Sequence, residues 1–270
     1  MSQVCPKCQK ASQPGARFCG ACGMTLGATV VQGRTVVGAS PGPGIPLSPT
    51  QVKTIVQKAK AAFGNETVVL NPSQFATPGS AQREDTVFVI DTSGSMGAAC
   101  DGRLTKIQAV IRANVAMVLN KARIDPNDEV GLVCFEDYAT ALMPIVPLHS
   151  HKSQIIQTLQ SLSAGDGTDI DEGLKAAREM FDWSRKSLVR RVVLLTDGQG
   201  GDPLDTADDL KARGVIIDVT GVGDCPENVD EKLLRKVAST VAGEVRYRFI
   251  RDHATLIATY VQLANKTATA

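Results

Sequence analysis

Asp91-Thr92-Ser93-Gly94-Ser95-Met96 puts one carboxylate and two hydroxyls on alternate residues, directly behind the apolar run Thr86–Ile90. Alternate side chains can converge on one point, and Gly94 lets the chain bend between them. Oxygen donors of this kind suit a hard cation of magnesium or manganese type, which takes an octahedral oxygen shell and keeps several waters. A second donor set lies near the start, where Cys5-Pro-Lys-Cys8 and Cys19-Gly-Ala-Cys22 are separated by a turn-rich stretch with Pro14 and Gly15. Two such CxxC turns supply four thiolates in a tetrahedron, so the spacing predicts a structural Zn2+ in a zinc ribbon rather than a redox pair. Four cysteines close that site and leave no position for a substrate. The ribbon then holds a fold, as a docking module or as a stabilised cap. Lys7, Lys10 and Arg17 leave weak nucleic-acid binding open.

The rest of the chain must position these donors. Its 270 residues suffice for one domain and a smaller module. At 43% hydrophobic and 21% charged, the composition is that of a folded globular protein. A formal net charge of +1 provides no long-range field for nucleic acid or anionic membrane, so partner choice falls to a local site. The N-terminus MSQVCPKCQK has no signal-like apolar core, and no stretch has the apolar length of a membrane span. A cytoplasmic location is expected. Seven cysteines, with Cys100, Cys134 and Cys225 scattered singly, do not form a disulfide framework.

Three segments are predicted: the zinc ribbon in 1–26, a Gly/Pro/Ser/Thr-rich linker in 27–82, and one larger domain in 83–270. Within the linker, Val52, Ile55, Val56, Ala59 and Phe63 fall at helical spacing and predict a short amphipathic helix, packed on the main domain or free for a partner or membrane surface. Thr-Val-Val recurs at Thr29, Thr35 and Thr67, as short docking strands or as phosphorylation sites.

In the main domain, apolar strand-length runs at Thr86–Ile90, Glu129–Phe135, Arg191–Thr196 and Val215–Thr220, with a weaker one at Glu244–Ile250, alternate with helical patterns. The helices are expected over Leu104–Arg123, Lys152–Ser161, Asp169–Trp183, Leu204–Arg213, Asp230–Ser239 and Asp252–Asn265. Alternation of this kind predicts an α/β fold, a doubly wound and mostly parallel sheet flanked by helices. Ala139–Ile145 reads as an antiparallel edge strand. In such sheets ligands bind beyond the carboxyl ends of the strands where strand order reverses, so the chemistry is expected immediately after strands, as in the loop behind Thr86–Ile90.

With these elements in place, residues 83–265 resemble the von Willebrand factor type A family. Its metal-ion-dependent adhesion site is written Asp-x-Ser-x-Ser, then a distant Thr, then a distant Asp. Asp91, Ser93 and Ser95 fit the first element, Thr168 in Gly165-Asp166-Gly167-Thr168 the second, and Asp197 in Leu194-Leu195-Thr196-Asp197-Gly198 the third. The resemblance implies that Ser93, Ser95 and Thr168 touch a Mg2+ or Mn2+ ion directly, while Asp91 and Asp197 hold its waters. It also implies a vacant coordination position, filled by an Asp or Glu of a partner protein. Prokaryotic members of this kind often work beside ATPases, kinases or phosphatases.

Family members often carry two glycines before the threonine, whereas Asp166 stands in that loop here and can alter the field at the metal. Asp169 is placed to cap the following helix. Elsewhere, His149 and His151 lack a nearby third ligand, and the single cysteines read as inert thiols. Neither a phosphate-binding glycine loop, a Gly-x-Ser-x-Gly elbow nor a dinucleotide fingerprint is present. An aspartyl-phosphate mechanism would want a second carboxylate where Ser93 stands. The expectation is a non-enzymatic, metal-dependent interaction protein. The alternative is a nucleic-acid-associated factor that makes contact through the ribbon while the larger domain recruits machinery.

Overall fold

A computed structural model describes residues 3–4, 11–12, 82–100, 104–185, 188–198 and 200–265. The chain divides into two compact units, Met1–Pro41 and Gly42–Ala270. In the first, β1 (Gln3–Val4) and β2 (Ala11–Ser12) pair antiparallel. Cys5, Cys8, Cys19 and Cys22, the linker helix around Val52 to Phe63, and Thr29, Thr35 and Thr67 lie outside the described residues.

The second unit is built on β3 (Glu84–Asp91), β4 (Glu129–Phe135), β5 (Ala139–Pro147), β6 (Val189–Thr196), β7 (Val215–Val222) and β10 (Tyr247–Ile250), with a short β8 (Thr240–Val241) and β9 (Glu244–Val245) pair beside them. The sheet order is β10-β7-β6-β3-β4-β5, parallel throughout except for β5. The chain leaves the central β3 towards β4 and later returns to β6 on its other side. Strand order therefore reverses between β3 and β6, and a crevice opens there at the carboxyl ends.

Helices cover both faces. On one lie α1 (Lys106–Ile124), α2 (Leu148–Gln160) and α6 (His253–Leu263), which pack Val110, Met117, Ile155, Leu256 and Tyr260 against Phe88, Ile90, Val193 and Leu195. On the other lie α3 (Ile170–Met180), α4 (Leu204–Ala212) and α5 (Glu231–Val237), which bring Ile170, Leu174, Leu210 and Leu234 onto Val87, Val89, Val192 and Leu194. Successive side chains of one strand feed opposite cores, which is why the apolar run of β3 is unbroken rather than alternating.

Three elements differ from the sequence expectation by three residues or more, among them α2, which begins at Leu148 rather than Lys152. The stretch Glu244–Ile250 is not one strand: Ala242 (φ 52°) and Gly243 (φ 78°) form a tight turn that pairs β9 back onto β8. The chain joins the main sheet only from Tyr247. The third helix stops at Met180 rather than Trp183, because Phe181 is extended and packs edge-on against the Trp183 ring at 5.7 Å. The antiparallel edge strand expected over Ala139–Ile145 is present and runs on to Pro147, and its exposed Pro144 and irregular register blunt further pairing.

Beneath α1 and α6 the sheet carries a charged layer without water access. Lys121 pairs with Glu84 and, at 2.9 Å, with Asp128. Asp218, fully buried in β7, accepts from Arg191 Nε at 2.6 Å and from Arg246 Nε at 2.7 Å. Arg191 also donates to the Leu263 carbonyl at 2.6 Å and so ties the end of α6 to β6. Burial alone would raise the Asp218 carboxyl, but Arg191 and Arg246 hold it at about 2.

That value lies below the roughly 3.9 of an unfolded aspartate. The Asp218 pairs therefore contribute fully above pH about 4 and lose that contribution as the pH falls towards 2. Asp218→Asn is expected to cost about 3–5 kcal/mol in urea unfolding at pH 7, since it removes the carboxylate that two buried guanidinium groups share. The gap from the parent protein should narrow between pH about 4 and 2. A loss under about 1 kcal/mol at pH 7 would show that the layer is not needed for stability.

Candidate metal centre

Three loops meet at the reversal point. The first leaves β3 at Asp91 and turns through a short 3-10 segment, Gly94–Gly97. The second precedes α3, and the third leaves β6 at Thr196. Thr92 bonds across the sheet to the Phe135 carbonyl through both its amide, at 3.0 Å, and its hydroxyl, at 3.1 Å. Its own carbonyl takes the Gly165 amide at 2.6 Å, which draws the second loop onto the first. A Cβ on Gly94 would stand 3.0 Å from the Gly165 carbonyl oxygen, and one on Gly200 only 2.1 Å from that of Thr168. The three loops interlock through glycines, and Gly200, at φ 134°, also needs a backbone that other residues rarely adopt.

Asp91 is fully buried. Its Oδ1 accepts the Ser93 amide at 2.8 Å, and its Oδ2 accepts the Thr196 hydroxyl at 2.6 Å. Burial pushes its carboxyl up, although the hydrogen bonds from Ser93 and Thr196 pull it down. Thr196 also accepts the Gly198 amide at 2.9 Å, so one hydroxyl shapes the third loop and orients the first carboxylate.

Ser93 Oγ and Ser95 Oγ lie 3.0 Å apart. Two ligands at right angles on a magnesium-sized ion, each about 2.1 Å from it, stand about 3.0 Å apart. The serine pair therefore has the edge length of such an octahedron, and the donor chemistry of hydroxyls flanked by carboxylates fits a hard divalent cation. Thr168 donates to the Gly167 carbonyl at 2.7 Å, which leaves its oxygen lone pairs available. Asp197 is nearly buried, and its Oδ2 lies 3.0 Å from Lys106 Nζ at the first residue of α1. Among the described residues, no group of three His, Cys, Asp or Glu side chains is placed to hold a metal.

Asp91, Ser93 and Ser95 thus share one loop. Thr168 lies three residues after Gly165, whose amide bonds Thr92 of that loop, and Asp197 follows Thr196, whose hydroxyl bonds Asp91. Asp166 is exposed, with Oδ1 3.9 Å from the position of a Gly94 Cβ, at the rim of the same loops. Asp169 caps α3 as expected, accepting from Asp171 N at 3.0 Å and Glu172 N at 3.4 Å. His151 bonds Ser150 within α2, and Cys100 is buried beside the Arg251 carbonyl. Thr196 and Lys106 did not emerge from the sequence. Thr196 hides as the last residue of an apolar strand, and Lys106 as an ordinary charge at a helix start. Thr196's position one residue before Asp197 was the only available signal.

Residues 86–199 match the family model for the von Willebrand factor type A domain. E3 ubiquitin-protein ligase WAV3 of Arabidopsis thaliana is 31% identical over 134 residues, which are 49% of this chain and 16% of that protein. The chain therefore spans a small part of that relative's length. Among solved structures, proximal thread matrix protein 1 from the mussel byssus, with a zinc-occupied MIDAS motif, superposes with a TM-score of 0.56 and 24% identity, over 70% of this chain and 47% of that one. BatB from Bacteroides thetaiotaomicron gives a TM-score of 0.54 at 20% identity, over 67% of this chain and 98% of that one. At these identities the structural likeness establishes the fold. Residues 86–199 thus match the von Willebrand factor type A domain in sequence, and the sheet that contains them has the fold of such domains.

Proposed function

We propose that the chain is a non-enzymatic protein-interaction module that captures an Asp or Glu of a partner protein through a Mg2+ or Mn2+ ion. The observation that carries this reading is the 3.0 Å pair of serine oxygens beside the buried Asp91, at the point where strand order reverses. Ser93, Ser95 and Thr168 are the direct ligands, and Asp91 and Asp197 hold the ion's waters. A bound ion supplies a Lewis-acidic position at which an outside carboxylate attaches. The chain's own part is to keep three neutral oxygens and two carboxylates preorganised. Thr196 orients Asp91, and the interlocked glycines fix the loop spacing. The zinc-occupied site in the mussel protein supports the assignment of a divalent ion to this position.

The proposed setting is a cytoplasmic scaffold or regulator, with an ATPase, kinase or phosphatase system as the partner class. No helix among the described residues is long and apolar enough to cross a membrane. The proposed zinc ribbon, with Zn2+ on Cys5, Cys8, Cys19 and Cys22, serves as an accessory module in 1–26. Residues 27–82 are the proposed linker and 83–270 the interaction domain.

Capture from cell extract should recover the same partners with Mg2+ that are lost with chelator and with Asp91→Ala, the variant's fold being checked by circular dichroism. Identical partners under all three conditions would sink metal-mediated capture. Thr196→Val keeps every proposed ligand, and is expected to weaken Mn2+ affinity at least about tenfold by isothermal titration, because Asp91 loses its orienting donor. Unchanged affinity would remove Thr196 from the site. Elemental analysis of the purified full chain should find bound zinc that Cys5→Ser or Cys19→Ser abolishes. A zinc content as high in both variants as in the parent protein would rule out the four-cysteine site.

A further inference from the structure

Among the described residues, Lys106 is the one cation with an ion pair to a proposed metal residue, and its placement runs against local preference. It is the first residue of α1, whose first turn carries no acidic side chain. A helix amino end is electropositive and favours acids over lysines there. The backbone nevertheless fixes Lys106 firmly. Thr105 and Gln108 form a reciprocal cap, with the Thr105 hydroxyl accepting the Gln108 amide at 3.3 Å, and the Lys106 amide bonds the Ala98 carbonyl at 2.9 Å. Its side chain is only 12% exposed and meets a carboxylate that is 10% exposed, so solvent screens the pair far less than a surface bridge.

Resting on the metal-binding reading above, the charge balance has a direct consequence. Ser93, Ser95 and Thr168 are neutral, so of the five proposed metal residues Asp91 and Asp197 alone carry charge, with the Asp166 and Glu136 carboxylates at the surrounding loops. Lys106 adds a further positive charge and occupies the Oδ2 of Asp197, the carboxylate proposed to hold a metal-bound water. We infer that Lys106 is an internal competitor for Asp197 that lowers the centre's affinity for divalent cations, so that metal binding requires its ammonium to give way. Lys106 is then an affinity-setting residue rather than a ligand. Because it begins α1, metal binding is also linked to the start of that helix.

Mn2+ binding to the full chain, followed by isothermal titration and by the electron paramagnetic resonance signal of free Mn2+, tests this. Lys106→Met is expected to tighten Mn2+ binding about tenfold, the scale of one nearby unit charge in a partly buried site. Lys106→Arg, which keeps the charge, should stay within about twofold of the parent, and Lys106→Met should have little effect in an Asp197→Asn background. Lys106→Gln serves in place of Lys106→Met if the latter is misfolded by circular dichroism. Weaker or unchanged binding in the neutral variants would overturn the competitor role, and weaker binding would assign Lys106 to holding Asp197 in place. Parent protein that binds Mn2+ while the variants show no tightening defeats this inference alone. A parent that binds no Mn2+ defeats the metal-centre reading as well.

Discussion

The Asp91 carboxylate is divided between two strands. One oxygen takes an amide from its own loop, and the other takes the Thr196 hydroxyl at the end of β6. Burying a carboxylate without an ion pair is costly, and the two hydrogen bonds offset only part of that cost, as the upward push on its titration shows. The bond to Thr196 does more than satisfy a lone pair. It clamps β3 to β6 one residue beyond their last paired residues, Ile90 and Leu195. The Thr92 bonds to Phe135 do the same on the β4 side. The three loops can approach one another because these clamps hold the strand ends level.

The two ends of the sheet solve opposite electrostatic problems. Towards the amino ends, charges are buried and answered internally: Asp218 by two arginines, and Glu84 and Asp128 by Lys121. The geometry there is closed, and a missing partner leaves a stranded charge. At the carboxyl end, among the described residues, hydroxyls and carboxylates predominate, and Lys106 pairs with one of those carboxylates, Asp197. The first end stabilises the domain. The second is left able to receive something from outside.

Much of this architecture could be read from periodicity. Thr86–Ile90 and Val215–Thr220 are apolar because both faces of a central parallel strand are covered, and Asp-x-Ser-x-Ser is contiguous and so visible without a structure. Asp169 is a local cap, and caps depend on neighbouring residues only. What escaped notice depends on partners distant in the chain. Arg191 and Asp218 look like breaks in apolar strands until the strands are side by side, and Lys106 meets Asp197 from across the domain. The Glu244–Ile250 strand broke because a turn at Ala242 and Gly243 gave the first two residues a closer partner than the main sheet.

The order β10-β7-β6-β3-β4-β5 has a consequence for biosynthesis. β3 is the first strand of its sheet to be made and lies near its centre, but its neighbour β6 follows only after three helices and two other strands, with Thr196 lying 105 residues beyond Asp91. Until β6 emerges, the apolar Val87–Ile90 edge has a neighbour on one side alone. A nascent chain at that stage presents a hydrophobic strand edge of the kind that chaperones shield and that aggregates recruit.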